Sequence, residues 1–341
     1  MKGACYLGES RLEVREYPDP KPGFGEVVIQ MKAAGLCGSD LHKYHSSREW
    51  AAERKGMIAG HEPAGVVAAV GPGVDTLRVG DRVSVYHSLG CGHCRFCFAG
   101  TPQFCRNEGA FGRTRDGCHA DLMTTPARYC LPLPPEFSFA TGATLACTAL
   151  TAYAALQKVP LEHGKTLAVF GLGPVGLTGL LLAQASGLRT IGVDVNPYRL
   201  ELARKFSTHV FVNAAKTDPV KAILDATDGE GANGVLECSG SATARTQAAT
   251  ASAWHGCVVI VGAGDVKVSI DTDQYLKKEL VVRGNLVCSM SQYYQAVDFL
   301  TAHPAIRLDD MITHRFRITE AAEAFAVFDG GKTGKVMVEW D

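Results

Sequence analysis

The sequence predicts an α/β protein with a mainly β domain and a second domain built on a doubly wound parallel sheet. Its 341 residues suffice for roughly two domains. The first part of the chain reads as short strands broken by glycine and proline, as in residues 26–35, 62–71 and 80–86. Between residues 165 and 285, short apolar runs alternate with longer helical stretches, a pattern typical of parallel strands connected by helices.

Composition argues against several classes of partner. Lys plus Arg total 34 and Asp plus Glu total 35, a net charge of −1, which is too balanced for a protein that neutralises phosphates of a nucleic acid. The uncharged run 166–188 is interrupted by glycines and by Pro174, so it predicts strand, turn and helix rather than a membrane span. The first 18 residues carry charges and no apolar stretch typical of a signal peptide. We therefore expect a cytoplasmic protein without nucleic-acid or membrane partners.

A glycine-rich turn between an apolar strand and an apolar helix is the clearest cofactor motif. Its G-x-G-x-x-G pattern comprises Gly171, Gly173, Pro174, Val175 and Gly176. Free N–H groups at the start of such a helix favour a pyrophosphate. The alternative is a glycine turn of a parallel sheet that binds no ligand.

A second apolar strand after this turn ends at Asp194. The Asp194 carboxylate would accept hydrogen bonds from the adenosine ribose and repel an added 2′-phosphate, so the pattern favours NAD over NADP. Arg199 follows closely and could contact the same region, where its positive charge would partly accommodate a phosphate.

Four clustered cysteines predict a closed metal site. They lie within residues 90–106 in the spacing C-x2-C-x2-C-x7-C, and they are Cys91, Cys94, Cys97 and Cys105. Four thiolates complete a tetrahedron around zinc and leave no open position, so the site should be structural. Redox pairing of these cysteines is the alternative.

Two scattered residues are further candidates for metal binding. Cys37 and His61 each follow a glycine-bearing turn just after a strand-like run. Either residue alone would more often be a packed thiol or a hydrogen-bonded histidine. Their interpretation depends on the sequence around them.

That context resembles the zinc-dependent medium-chain alcohol dehydrogenases, within the medium-chain dehydrogenase/reductase superfamily. The matching strings occur in order along nearly the whole chain: GLCGSDLH, GHEPAGVV, VGPGVDTLRVGDRV, the four-cysteine lobe, GLGPVG and KTGKVMVEW. The resemblance implies a GroES-like catalytic domain formed by residues 1–148 and 286–341, and a Rossmann domain over 149–285 that binds NAD. It also implies a dimer or tetramer of identical chains.

The resemblance further implies which residues perform the chemistry. Catalytic zinc would be bound by Cys37, His61 and Cys147, so that the chain holds two zinc ions in all. The neighbouring Glu62 resembles an acid that in some relatives binds zinc when substrate is absent or lies just behind the zinc, and an ordinary salt bridge is its alternative.

Two positions match the family's proton relay, and two are candidates for the substrate pocket. Ser39 matches the hydroxyl that contacts the bound alcohol, and His42 matches the residue that passes the proton to solvent. His87 lies where relatives place a pocket-lining side chain, with a structural role as its alternative. Trp50 belongs to a predicted loop, residues 45–57, which we expect to line or cover the entrance.

The resulting expectation is a zinc- and NAD-dependent oxidoreductase. Two thiolates and one imidazole leave zinc an open position where an alcohol can bind and lose its proton near neutral pH. The substrate would be a primary or secondary alcohol or a polyol, or in reverse an aldehyde or ketone. The alternative is a non-catalytic family member that keeps the fold and the structural zinc.

Overall fold

The computed structural model describes residues 1–54, 56–160, 162–206, 210–264, 267–269 and 271–341. The strands are β1 (Lys2–Gly8), β2 (Arg11–Glu16), β3 (Glu26–Gly35), β4 (Glu62–Val70), β5 (Arg82–Val85), β6 (Ser88–Leu89), β7 (Gly109–Ala110), β8 (Leu122–Pro126), β9 (Cys130–Pro132), β10 (Thr166–Phe170), β11 (Arg189–Asp194), β12 (Val210–Asn213), β13 (Ala232–Glu237), β14 (Ser252–Ile260), β15 (Val281–Gly284), β16 (Ile312–Phe316) and β17 (Lys335–Glu339). The α-helices are α1 (Gly38–Tyr44), α2 (Arg48–Glu53), α3 (Arg95–Phe98), α4 (Phe139–Ala146), α5 (Thr148–Leu156), α6 (Pro174–Ala185), α7 (Pro197–Arg204), α8 (Pro219–Asp225), α9 (Ala242–Thr250), α10 (Thr272–Lys278), α11 (Met290–Ala302) and α12 (Ala321–Asp329).

The chain divides into two compact units. The first contains Met1–Thr148, Ser289–Tyr293 and Arg307–Asp341, and the second contains Ala149–Cys288 and Tyr294–Ile306. This differs from the predicted division, which assigned all of residues 286–341 to the first domain.

Helix packing explains why part of that segment belongs to the second unit. Phe299 on α11 packs against Tyr153 on α5, with ring centroids 6.0 Å apart. A helical pattern in the sequence shows which residues are apolar, but not which domain they pack against.

The first unit is organised by a seven-stranded sheet in the order β16-β17-β3-β4-β5-β9, with β8 also paired to β3. At the end of β3, Gly35 lies opposite Glu62 of β4 on one side and Met337 of β17 on the other. The chain leaving β3, the start of β4 and the start of β17 therefore meet at one edge of the sheet.

A buried aromatic cluster stabilises the core of the same unit. Tyr6 of β1 packs edge-on against Phe325 of α12, with ring centroids 5.8 Å apart, and Tyr44 of α1 lies 5.4 Å from Phe325. All three side chains belong to one continuous apolar core. Burial of rings of this size contributes much of the stability of such a core.

The second unit contains six parallel strands in the order β12-β11-β10-β13-β14-β15. This arrangement confirms the predicted doubly wound parallel sheet. Every residue of β10 is buried, as expected for a central parallel strand covered on both faces. The strand order reverses at β10, and ligands bind at the carboxyl ends of strands at such a point.

Within the described ranges, no single helix has the length and apolar character needed to cross a membrane. One bent pair, Phe139–Ala146 followed by Thr148–Leu156, satisfies the length and composition criteria only when its two helices are taken together.

Candidate metal centre and cofactor-binding turn

The structure brings together the four side chains predicted around the catalytic metal. Cys37 immediately precedes α1, and Cys147 follows α4. Glu62 is the first residue of β4, and His61 immediately precedes it. One ligand atom from each of these residues lies within 4.8 Å of every other. The pairing of β3 with β4 accounts for part of this arrangement, because it places the chain leaving β3 beside His61.

The chemistry of this group fits zinc. Two thiols and an imidazole are ligands that zinc prefers, and three protein ligands leave a position open. The neighbouring Cys147 and burial together hold the pKa of the Cys37 thiol well above its usual value. Two neighbouring thiols of this kind lose their protons when a cation binds between them.

Asp40, which the sequence analysis did not identify, fixes the orientation of His61. Asp40 is fully buried on α1, and its Oδ1 accepts a hydrogen bond from His61 Nδ1 at 2.9 Å. Its Oδ2 accepts from the backbone N–H of Cys37 at 3.1 Å. Burial raises the pKa of Asp40, but His61 and Lys43 outweigh this effect and hold it well below its usual value. Since a carboxylate only accepts, Nδ1 of His61 keeps its proton, and Nε2 is the nitrogen left to bind a metal. Burial lowers the pKa of His61, but the Asp40 carboxylate outweighs this effect and raises it to about 10, so a metal at this site would displace the proton from Nε2.

Glu62 is held by a buried lysine that the sequence analysis also missed. Its Oε2 accepts from Lys335 Nζ, and its Oε1 accepts from Thr148 Oγ1 at 2.8 Å. Glu62, Thr148 and Lys335 are all fully buried. Burial lowers the pKa of Lys335, but the neighbouring Glu62 carboxylate raises it above its usual value. The salt bridge weighed as the alternative for Glu62 is present.

The two proposed relay residues lie on α1. Ser39 Oγ lies 3.4 Å from His61 Nε2, so its hydroxyl borders the ligand group. His42 is exposed three residues further along the helix, and side chains with this spacing are neighbours on a helix surface. The arrangement is compatible with a path from the metal group to solvent, and the relay itself stays a prediction.

The two pocket candidates differ in their surroundings. His87 is buried with its ring centroid 5.3 Å from that of His61, and its Nδ1 donates to the carbonyl of Ala146 at 2.9 Å. Burial lowers the pKa of His87 to about 4, so its ring is neutral at pH 7 with Nε2 free to accept.

Trp50 is not in a loop, because residues 48–53 form α2. Its ring packs against Tyr6 with centroids 6.2 Å apart, and the Arg54 guanidinium lies 3.7 Å from the ring centre. These contacts give the Trp50 ring a structural role in packing. Its role in a substrate pocket stays a prediction.

The four-cysteine lobe also brings its thiols together. Cys94 and Cys97 have their sulfur atoms 3.6 Å apart, and Cys91 and Cys97 have theirs 4.0 Å apart. Zinc–sulfur bonds of about 2.3 Å require tetrahedral edges of about 3.8 Å, so these separations fit zinc. Backbone N–H groups of Cys97 and Phe96 lower the pKa of Cys94 to about 6, which favours its thiolate.

The glycine turn after β10 has the close approaches that its pattern requires. Gly171 has a φ of +87°, and a Cβ there would lie 2.7 Å from the backbone nitrogen of Ser239. A Cβ on Gly176 would collide with the Gly171 carbonyl oxygen. Gly173 precedes α6, whose first residue is Pro174, and Val175 follows. The turn therefore exposes backbone N–H groups at the start of a 12-residue helix.

Asp194, at the end of β11, is tied to this turn. Its Oδ2 accepts from Leu172 N at 2.6 Å, and its Oδ1 accepts from Asn196 N at 2.7 Å. The guanidinium of Arg199 points back toward Gly173, whose hypothetical Cβ would be 3.9 Å from Arg199 Nη1. The carboxylate and the guanidinium predicted to meet the cofactor thus lie beside the same turn.

Comparison with known proteins agrees with the architecture. Residues 23–135 match the family "Alcohol dehydrogenase GroES-like domain", and residues 174–302 match "Zinc-binding dehydrogenase". The chain is 36% identical over 348 residues to the uncharacterized zinc-type alcohol dehydrogenase-like protein YphC of Escherichia coli K12, covering 99% of this chain and 98% of that protein. It is 37% identical over 334 residues to L-threonine 3-dehydrogenase of Pyrococcus abyssi, covering 95% and 94%.

A solved structure has the same fold over nearly the whole length. It is a protein of Sinorhizobium meliloti 1021, described as a zinc-binding dehydrogenase bound to NADP, with a TM-score of 0.89, 27% identity and 99% coverage of both chains. These matches confirm a GroES-like domain combined with a Rossmann domain. The chain belongs to the zinc-dependent medium-chain alcohol dehydrogenase family of oxidoreductases.

Proposed function

We propose that this protein oxidises an alcohol to an aldehyde or ketone with transfer of a hydride to NAD, and that it catalyses the reverse reduction. The observation that carries this proposal is the convergence of Cys37, His61 and Cys147 on one point, with Asp40 fixing the imidazole. A non-catalytic member of the family would have no need of this arrangement.

The chain's own residues bind, orient and deprotonate the substrate. Cys37, His61 and Cys147 would hold zinc, which when bound polarises the substrate oxygen and lowers the pKa of its hydroxyl. The Ser39 hydroxyl borders His61 Nε2, and it would accept the proton that the substrate loses while it releases its own hydroxyl proton to the cofactor ribose. His42, exposed on the same helix, would then pass that proton to water.

The glycine turn and Asp194 support NAD as the cofactor. Backbone N–H groups at the start of α6 suit the pyrophosphate, and the nicotinamide of the bound cofactor would accept the hydride. The buried Asp194 carboxylate lies beside the turn, where it would repel a 2′-phosphate. Arg199 works against this preference, and so does the description of the Sinorhizobium relative as bound to NADP.

The substrate class follows from His87 and from the relatives. The neutral His87 leaves Nε2 as an acceptor near His61, which suits a second hydroxyl or an ammonium group on the substrate. Relatives at 36–37% identity are described as L-threonine 3-dehydrogenases. We therefore propose alcohols that carry a neighbouring polar group, with 2-amino alcohols tested first.

Two structural features extend the proposal to the folding and assembly of the protein. The four-cysteine lobe would hold a structural zinc. Strand β15 lies at the edge of its sheet with all four residues exposed, so we propose that two copies pair along it in a homodimer. All twelve cysteines are free thiols, which suits the cytoplasm.

The test is a spectrophotometric screen for NADH formation with L-threonine, simple secondary alcohols, diols and polyols. Wild-type protein and Cys37→Ser should be compared, with the structural zinc content measured in both. The proposal requires turnover of at least one alcohol by the wild type and its loss in Cys37→Ser. Equal rates in the two proteins would refute it.

A further inference from the structure

Lys335, the first residue of β17, is fully buried and uses all three donors of its ammonium group. Nζ donates to the carbonyl oxygen of Leu36 at 2.9 Å, to Thr148 Oγ1 at 2.9 Å and to Glu62 Oε2. Burying a charge is costly unless it is paired and hydrogen-bonded. This lysine is therefore fixed in one position.

The three acceptors share one property. Each is the chain neighbour of a residue in the metal group: Leu36 precedes Cys37, Glu62 follows His61, and Thr148 follows Cys147. A single ammonium group thus connects the three backbone segments that carry the proposed zinc ligands. None of these segments is close to another in the sequence, so the connection exists only in the folded protein.

Gly35 permits this arrangement. Lys335 lies on β17 and Glu62 on β4, and β3 runs between them, so the side chains must span two strand spacings, ~9.6 Å in all. The middle position is Gly35, where a Cβ would collide with Glu62 Oε2 and lie 2.8 Å from Lys335 Cε. The ion pair between Lys335 and Glu62 therefore lies over Gly35, which has no side chain to block it.

The Glu62 carboxylate is close enough to the other ligand atoms to join them. A carboxylate oxygen of Glu62 lies within 4.8 Å of the ligand atoms of Cys37, His61 and Cys147. Both of its oxygens are instead engaged, Oε2 by Lys335 and Oε1 by Thr148. Because zinc accepts carboxylate oxygens readily, these hydrogen bonds compete with a bound metal for Glu62.

We propose that Lys335 is a positioning residue that withholds Glu62 from the metal and so keeps the site at three protein ligands. The inference rests on the proposed function, since it needs a metal at Cys37, His61 and Cys147. It goes beyond that function because it makes the open position of the metal depend on Lys335, which lies near the C-terminal end of the sequence.

The test uses cobalt(II) in place of zinc, with visible absorption as the readout. In wild-type protein, added imidazole should change the cobalt spectrum, because one position is open. In Lys335→Met, Glu62 should take that position, so imidazole should have no effect and cobalt should leave more slowly. Adding Glu62→Gln to Lys335→Met should restore the imidazole response.

The direction of the effect separates this role from a merely structural one. Loss of an outer hydrogen-bond partner of a metal site usually weakens metal binding by about 10–100-fold. The proposal predicts slower metal release in Lys335→Met instead. Faster release with a retained imidazole response would overturn it, and so would a lost response that Glu62→Gln does not restore.

Three further variants keep the test decisive. Lys332→Met removes an exposed lysine of the same segment and should behave as the wild type. If Lys335→Met does not fold, Glu62→Gln alone decides, since it should leave the cobalt spectrum unchanged, and a changed spectrum would overturn the proposal. If Cys37→Ser takes up cobalt as the wild type does, the proposed function fails. If Cys37→Ser takes up less cobalt but Lys335→Met behaves as the wild type, only the role of Lys335 is refuted.

Discussion

Replacing Asp40 with asparagine should weaken metal binding at the Cys37 group. The two carboxylate oxygens of Asp40 accept from different donors, Oδ1 from His61 Nδ1 and Oδ2 from Cys37 N. Asparagine has one oxygen and one NH2, so it cannot accept from both. If its oxygen keeps His61, the NH2 faces the backbone N–H of Cys37, and an unsatisfied buried donor costs about 1–3 kcal/mol.

The opposite orientation of the amide damages the histidine. With the NH2 facing His61, the imidazole is favoured with its proton on Nε2, the atom directed at the ligand group. Either orientation should therefore lower zinc affinity by about 10–100-fold, which corresponds to about 1.4–2.7 kcal/mol.

The assay is competition for zinc with a chromogenic chelator, and the four-cysteine lobe serves as an internal reference. Asp116→Asn is a matched control, because Asp116 accepts a backbone hydrogen bond from Ile58 in the same unit at 2.9 Å. It should bind zinc as the wild type does. Unchanged zinc affinity at the weaker site in Asp40→Asn would refute the assignment of His61 orientation to Asp40.

Three other predictions follow from the site and its surroundings. Ser39→Ala should lower turnover by about a hundredfold or more, whereas His42→Gln should lower it less and recover towards alkaline pH; a near-normal rate in Ser39→Ala, or an unchanged pH profile in His42→Gln, would contradict the relay. The wild type should prefer NAD by at least about tenfold in kcat/KM, and Asp194→Ala should erase most of this preference; equal efficiency with NADP in the wild type would contradict it. Burial lowers the pKa of His119 to about 4, so below pH 6.5 protons bind preferentially to the unfolded chain, and the wild type should lose about 2 kcal/mol of unfolding free energy by pH 5 through this residue. His119→Phe should remove that loss in urea titrations at pH 7 and pH 5, and identical pH dependence of the two proteins would contradict the prediction.

Local patterns predicted those parts of the site that are continuous in sequence. The four-cysteine lobe and the turn from Gly171 to Gly176 each lie within one short segment, so their residue types and spacing carry the information. Asp194 could also be predicted from the sequence, because it ends the strand that follows the turn. Cysteines at this spacing indicate a metal site, and the glycines indicate a turn in which the backbone approaches a ligand closely.

The network behind the metal group could not be predicted in the same way. Lys335 and Glu62 are 273 residues apart, and their pairing depends on β3 lying between β17 and β4. A lysine in a short C-terminal strand gives no sign of being buried. Asp40 left a weak signal, because it lies three residues after Cys37 at the start of a helix, where an acidic side chain can reach the preceding backbone.

Zinc content, with the lability of each ion, tests the central claim most directly. Purified protein should contain about two equivalents per chain, and a chelator should remove one quickly with loss of turnover while the fold survives. Cys37→Ser should retain only the slowly exchanging zinc, and Cys94→Ser should lose that ion together with thermal stability. A single zinc that is still present in Cys37→Ser would contradict the assignment of a catalytic metal to Cys37, His61 and Cys147.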